Sequence, residues 1–313
     1  MAIIAELNAA TNVYIMPALI NNIWKDNNVL ERLVKKQKRV DGGTAIRVNL
    51  EYGTGASGGS YAKTDTLTIT PSTILGGAEF DWAHYWAGNS IYIIDELQNK
   101  GKSQIIDLLV AKMKNIQNTI RHDIETDIFA TATHGTSNKI WSLVDAIKVA
   151  TTVTYGGLSR AAGSYPWFGG TTTNVGAALS YDKMETMYNT CSEIPKEPPT
   201  LIVTTKNIYE DYWKLALDKI GFLGHPESLG ANVLPFGSAE VIYNPHVTAG
   251  EMWFLNLNHL FLISHPDDNF AFSGWEDVTA STGQRRLDGR VYWTGGLISD
   301  MPISCGVLTG ITE

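Results

Sequence analysis

Gly53, Gly55 and Gly58 spell G-x-G-x-x-G directly after an alternating run. A dinucleotide fingerprint needs a helix to follow, because the helix N-terminus receives the pyrophosphate. Here a threonine-rich strand pattern follows, and no lysine stands in P-loop position. Gly55, Ser57 and Gly59 also match G-x-S-x-G, but a nucleophile elbow must run from strand to helix through its serine. The seven histidines (His84, His122, His134, His225, His246, His259 and His265) include no H-E-x-x-H or H-x-H pair. Cys191 and Cys305 are not in a C-x-x-C motif, and two cysteines cannot form a disulfide framework or a structural zinc site. Asp267 and Asp268 follow His265-Pro266 and read as a solvated turn, since calcium would require more oxygen ligands at fixed spacing. No two carboxylates stand out as an acid and base pair. The residues therefore predict no catalytic centre, no metal and no cofactor.

The elements around these residues belong to a chain of 313 residues, long enough for about two domains with an ordinary core. Hydrophobic residues make up 44% and charged residues 18%, which excludes wholesale disorder. The 9 Trp, 13 Tyr and 9 Phe imply much surface to bury, in cores or against other subunits. The net charge of −8 argues against a dedicated nucleic-acid binder. Glu6 and Asn12 interrupt the first apolar run, so neither a signal peptide nor a membrane span is expected, and the chain reads as soluble and not exported. Charge is uneven: residues 1–50 carry a net +3, and residues 140–313 a net −8. Arg32, Lys35, Lys36, Lys38 and Arg39 concentrate five cations in eight residues. They fit a solvated helix end, or contact with an acidic neighbour or nucleic acid. With no aromatic among them, base stacking is a poor fit.

Thr44–Tyr52 alternates, with Ile46, Val48, Leu50 and Tyr52 on one face, and predicts a half-buried strand. Residues 53–60 read as a flexible tip, and Ala62–Thr70 as the returning strand ended by Pro71. So few residues could fill a private core that this hairpin is expected to lean on something else. Phe80, Trp82, His84 and Trp86 predict a third strand. From Ser103 to Thr131, Ile105, Leu109, Met113, Ile116, Ile120, Ile124 and Ile128 form one helical stripe, with Ser103 as N-cap and Gly135 beyond the end. Such a helix would be roughly 43 Å long. Its other face, with Lys112, Lys114, Arg121, Asp123 and Asp127, is expected to be solvated.

The second half is mixed. Residues 150–175 read as loop with short strand. A helix is expected over Ser180–Cys191, a strand at Leu201–Val203, and a helix capped by Thr204 or Thr205 running to about Leu217. Gly221–Gly237 reads as an irregular, mobile loop. Strands are expected at Ala239–Tyr243, Met252–Asn256, His259–Ser264 and Arg290–Ile298.

This order resembles the major capsid proteins of tailed bacteriophages with the Hong Kong 97-type fold. The C-terminal part carries the resemblance in sequence: Pro199-Thr-Leu-Ile-Val-Thr-Thr205, then Asn207-Ile-Tyr-Glu-Asp-Tyr-Trp213. It continues through Val241-Ile-Tyr-Asn-Pro-His246, Met252-Trp-Phe-Leu-Asn256, His265-Pro-Asp-Asp-Asn-Phe270 and Gly306-Val-Leu-Thr-Gly-Ile311.

The resemblance implies an α+β capsid fold. Residues 1–45 would be the N-terminal arm, and 46–90 an extended E-loop hairpin. Residues 91–139 and 263–313 would form a peripheral domain with a long spine helix, and 140–262 an axial α/β domain. The partners implied are copies of the same chain in hexamers and pentamers, closing an icosahedral shell around double-stranded DNA in the virion. Assembly would occur in the host cytoplasm, with weak, non-specific contact to the packaged DNA and no membrane. Portal and decoration proteins are further partners. No long N-terminal extension is present as a fused scaffold, which implies a separate scaffolding protein or none. Subunit contacts are expected at Arg32, Lys35, Lys36, Lys38, Arg39, Gly53, Gly55, Gly58 and Lys63. Some family members crosslink a hairpin lysine to a neighbour's asparagine. Lys63 is the sole candidate between residues 51 and 99, and a solvated edge-strand lysine is its plainer reading. Two other functions compete: an encapsulin-like nanocompartment shell binding a cargo enzyme, and a soluble α/β enzyme.

Overall fold

The computed structural model describes residues 28–51, 57–69, 71, 74–98, 108–131, 138–150, 152–161, 165–193, 196–220 and 234–312. In chain order the elements begin with α1 (Asn28–Lys35), β1 (Lys38–Arg39), β2 (Ile46–Glu51), β3 (Leu75–Phe80), β4 (Ala83–Tyr92), α2 (Ile93–Gln98) and α3 (Leu108–Phe129). There follow α4 (Leu143–Ile147), β5 (Thr154–Tyr155), β6 (Leu158–Ser159), β7 (Thr171–Asn174), α5 (Tyr181–Ser192), β8 (Leu201–Thr204) and α6 (Lys206–Ile220). The last are β9 (Leu234–Phe236), β10 (Ala239–Tyr243), β11 (Met252–Leu255), β12 (Leu260–Asp277), α7 (Thr279–Thr282), β13 (Arg286–Ser299) and β14 (Gly306–Thr309). Two compact units are present: Trp86–His122 with Phe270–Trp293, and Asp26–Tyr85 with Asp123–Asn269 and Thr294–Glu313.

In the second unit a six-stranded sheet runs β7-β14-β11-β8-β10-β9. Its centre, Leu201–Thr204, is buried at every residue, which is why it reads as an unbroken apolar run. β8 pairs in parallel with β10 and antiparallel with β11. Helices α5 and α6 cover the sheet through Met184, Met187, Cys191, Ile208 and Tyr212, all buried in one core with Val241, Met252 and Phe254. Ser180 caps α5 by accepting from the Lys183 amide, and Thr205 accepts from Ile208 at the start of α6. The four-stranded sheet has the order β1-β12-β13-β4.

The helical stripe is present where it is described. Ile116, Ile120, Ile124 and Ile128 of α3 are all buried. The predicted cap Ser103 and Ile105 lie outside the described residues. Asp127, expected in solvent, is buried: Tyr85 donates to it at 2.8 Å and Lys139 at 2.9 Å.

Several strand expectations are corrected. The partner of β2 is β3, not Ala62–Thr70, with Ile46 opposite Phe80 and Glu51 opposite Leu75. Residues 61–69 form no strand, so Lys63 lies in a turn and not on an edge strand. In β4 the inward face is Ala83, Ala87 and Ile91, and Trp86 is on the outside. The expected single strand is split: Phe80 ends β3, Trp82 lies between the strands, and His84 and Trp86 belong to β4. His265–Phe270 is part of the long strand β12, not a turn. Leu234–Phe236 is a strand that turns through Gly237 (φ 61°) into β10, although it fell within the expected loop.

Candidate assembly surfaces

The hairpin β2–β3 buries one face through Ile46, Leu50, Ala78 and Phe80. A second, small hairpin, β5–β6, supports this stem. Its two-residue turn, Gly156 (φ 55°) and Gly157 (φ 74°), requires positive φ at both positions, as a type I′ turn does. A Cβ on Gly156 would meet Phe80 at 2.7 Å and Ala78 at 2.8 Å, so only glycine lets the turn approach β3, where the Glu79 amide donates to the Gly156 carbonyl. Phe80, Trp141, Tyr155 and Phe168 then pack edge-on and tilted at centroid distances of 4.9–5.9 Å.

Beyond the stem the hairpin changes character. Every residue from Ser57 to Ile69 is exposed. Leu67 is 66% and Ile69 84% exposed, and Tyr61, Ile74 and Leu75 join them on the surface. Gly58 meets nothing, and a Cβ added to it would have no neighbour within 4 Å. Gly53 and Gly55 lie outside the described residues. Lys63 is exposed near Asp65, whose carboxylate accepts from the Ala62 amide at 2.6 Å. Among the described residues, Leu67 and Ile69 have neither a strand partner nor a core around them, which is unusual for large apolar side chains.

The basic cluster is partly used within the chain. Arg32 grips Glu240 with both arms of its guanidinium, the Nη2–Oε1 contact being 2.8 Å. Lys36 donates to Asn258 at 3.1 Å, and the Lys38 ammonium sits 3.4 Å from the Phe261 ring centroid. Lys35 and Arg39 are exposed. β1 pairs in parallel with β12, Lys38 beside Ile263 and Arg39 beside Ser264.

What seats α1 is a residue the sequence did not mark. Glu125 of α3 is fully buried, and its carboxylate faces the N-terminus of α1. It accepts from the amides of Val29 at 3.2 Å and Leu30 at 2.9 Å, and from Asn244 Nδ2 at 2.6 Å. A carboxylate there satisfies open helix amides and complements the helix dipole. Asn28 closes the group by donating to the Tyr243 carbonyl and accepting from Asn244.

In the other unit Trp86, Tyr92, Ile94, Leu97 and Val110 are exposed apolar residues. Beside Trp86 lies an open concavity of about 350 Å³ between β4 and β13, lined among others by Asn89, Ser90, Arg286 and Arg290. Among the described residues, no group of three or more His, Cys, Asp or Glu side chains is arranged to hold a metal ion. No described helix is long and apolar enough to cross a membrane. Both thiols are buried; burial pushes Cys191 up to about 12 and Cys305 up to about 11.

Against known proteins, no family model and no curated sequence matches. Solved structures do. The cyanophage A-1(L) capsid asymmetric unit superposes with a TM-score of 0.71 at 16% identity, over 97% of this chain and 98% of that one. The chain has the Hong Kong 97-type capsid fold. The capsid of an empty GTA particle gives a TM-score of 0.67 at 13% identity, over 100% and 99% of the two chains. The SrpI encapsulin from Synechococcus elongatus PCC 7942 gives 0.60 at 11%, over 98% and 95%. The capsid fold thus accounts for nearly the whole chain.

Proposed function

We propose that the protein is a shell subunit, the major capsid protein of a tailed-phage head, assembling through hexamers and pentamers around double-stranded DNA. The observation that carries this reading is the exposed 57–69 segment. Leu67 and Ile69 stand in water in the single chain, and a neighbour in a shell would cover them. On this reading residues 1–45 are the arm, 46–90 the E-loop, 91–139 and 263–313 the peripheral domain, and 140–262 the axial domain. The six-stranded sheet of the last would borrow Gly306–Thr309. Arg32, Lys36 and Lys38 already contact their own chain, so Lys35, Arg39, Gly58 and Lys63 are the preferred contact candidates. A portal, decoration proteins and a separate scaffolding protein, where one is used, would be its further partners. No catalytic role is proposed.

The test is assembly of a Leu67→Asp/Ile69→Asp variant. Two charges on an exposed segment leave the monomer fold intact but oppose burial at a contact. Sedimentation should show closed particles for the parent and only small species for the variant, at unchanged thermal stability. Variant shells as abundant as the parent's would contradict the hairpin's role. The likeness to an encapsulin supports a second reading, a protein-filled nanocompartment. Nuclease-protected DNA inside particles from infected cells supports a phage head; a co-purifying cargo protein supports the compartment.

A further inference from the structure

The six-stranded sheet ends in two edges of different character, β7 and β9. An open edge offers free amides and carbonyls to any passing strand, and proteins that make no use of one blunt it. At β9 the edge is blunted. The Glu240 amide, opposite Pro235, donates to Thr200 on the β8 side, so Pro235 is the residue of this three-residue strand whose backbone faces outward. Proline has no N–H to offer, and the Pro235 carbonyl already accepts from the Tyr212 hydroxyl at 3.0 Å. β7 has no such protection. It pairs in parallel with β14, Thr171 beside Gly306 and Asn174 beside Thr309. The Thr171 amide donates to the Cys305 carbonyl at 3.2 Å, and the Val175 amide to that of Thr309 at 2.8 Å. A parallel ladder bonds alternate residues, so Thr172 and Asn174 turn their amides and carbonyls to the open side. Thr172, Thr173 and Asn174 are exposed, and β7 pairs with no second strand among the described residues. Its sequence, Thr-Thr-Thr-Asn, contains no charge and no proline to repel a partner.

This edge is complementary to itself. Laid antiparallel on a second copy about a two-fold axis at Thr173, Thr172 of each strand stands opposite Asn174 of the other. Both residues present outward amides and carbonyls, and such an opposed pair exchanges two hydrogen bonds. Thr173 meets its own counterpart in the non-hydrogen-bonded position between them, where side chains come closest and threonines pair favourably. A head-to-tail join of β7 to the β9 edge of a neighbour is closed off by Pro235. We propose that β7 is a two-fold docking edge that receives β7 of a second copy in this register. The contact is isologous, so it is distinct from the heterologous contacts that close rings, and it goes beyond the shell reading without resting on it.

The test compares two full-length variants, Thr173→Cys and Thr172→Cys, under mild oxidation. Both positions are exposed, so random collision would link them equally, and the native thiols are buried and stay silent. Only Thr173 meets itself across the axis, within reach of a disulfide; the two copies of Thr172 lie two residues apart along the strands. Thr173→Cys should therefore give at least tenfold more disulfide-linked dimer than Thr172→Cys. Adding Thr172→Pro to Thr173→Cys removes an outward amide that the fold itself does not use. It should cut the dimer about tenfold and leave the thermal midpoint unchanged. Equal yields from the two cysteines, no dimer from either, or a dimer that survives Thr172→Pro overturns the pairing and leaves the shell reading untouched. A purified Thr173→Cys chain that stays unlinked, while in expressing cells it links to a different protein, overturns self-pairing in favour of a foreign strand.

Discussion

Arg160 is buried, yet its guanidinium donates to the carbonyls of Ala146 at 2.7 Å, Asp145 at 2.6 Å and Thr152. Burial works against its charge and lowers its proton affinity, so these carbonyls and the nearby Asp145 and Tyr155 are what keep it in place. Replacing Arg160 with methionine should cost about 3 kcal/mol or more in urea unfolding, because three carbonyls lose their donors in the interior. Lysine should recover only part of this, lacking the planar fork. Nothing in the Thr/Gly-rich run around it marked Arg160, because a buried arginine is recognised by the carbonyls it meets and not by its neighbours in sequence. The same holds for Glu125. It directly follows Ile124 on the helical stripe, and only the approach of α1 explains its burial. The thiols make a pH prediction. Both are held protonated in the fold above their ordinary 9.0. The unfolded chain therefore loses its thiol protons first, and the contribution is full below pH 9 and declines up to about 11–12. Denaturant midpoints should fall over that window, and Cys191→Ala should flatten the fall.

At the scale of elements, the arm helix is too short to stand alone and depends on its docking. Glu125→Ala removes the acceptor for two α1 amides. Hydrogen exchange in Asn28–Lys35 should then speed up by about tenfold or more, while β8 and β11 keep their protection. Equal acceleration everywhere would make Glu125 a general stability residue, not the seat of the arm. Legibility differed among elements for physical reasons. The isoleucine stripe of α3 and the buried strand β8 were readable because burial alone sets their patterns. The hairpin was half readable. Ile46, Val48 and Leu50 announced β2, but Leu67 and Ile69 alternate just as well and pair with no strand among the described residues. The true partner, Leu75–Phe80, contains Gly76 and Gly77. There the Arg47 side chain lies so close that a Cβ on Gly77 would stand 2.5 Å from its Nε, and strand propensity is low. The β5–β6 hairpin, with its Gly156–Gly157 turn, lies in the run that read only as loop with short strand.

For the whole molecule, the order of the described elements was partly legible, since β2, the isoleucine-striped helix α3, the helices α5 and α6 and the strands β8 and β11 follow one another as expected. The pairing was not, because exposed apolar residues such as Leu67 and Ile69 look like core residues in a single sequence. The account makes the protein complete only among its copies. Closure through repeated heterologous contacts is how one chain builds a shell. Electron microscopy of the purified full-length chain, alongside its sedimentation profile, tests this most directly. The account predicts closed particles or rings of five and six subunits. A single monomeric species at every concentration, with no particle or ring in the expressing cells, would contradict it.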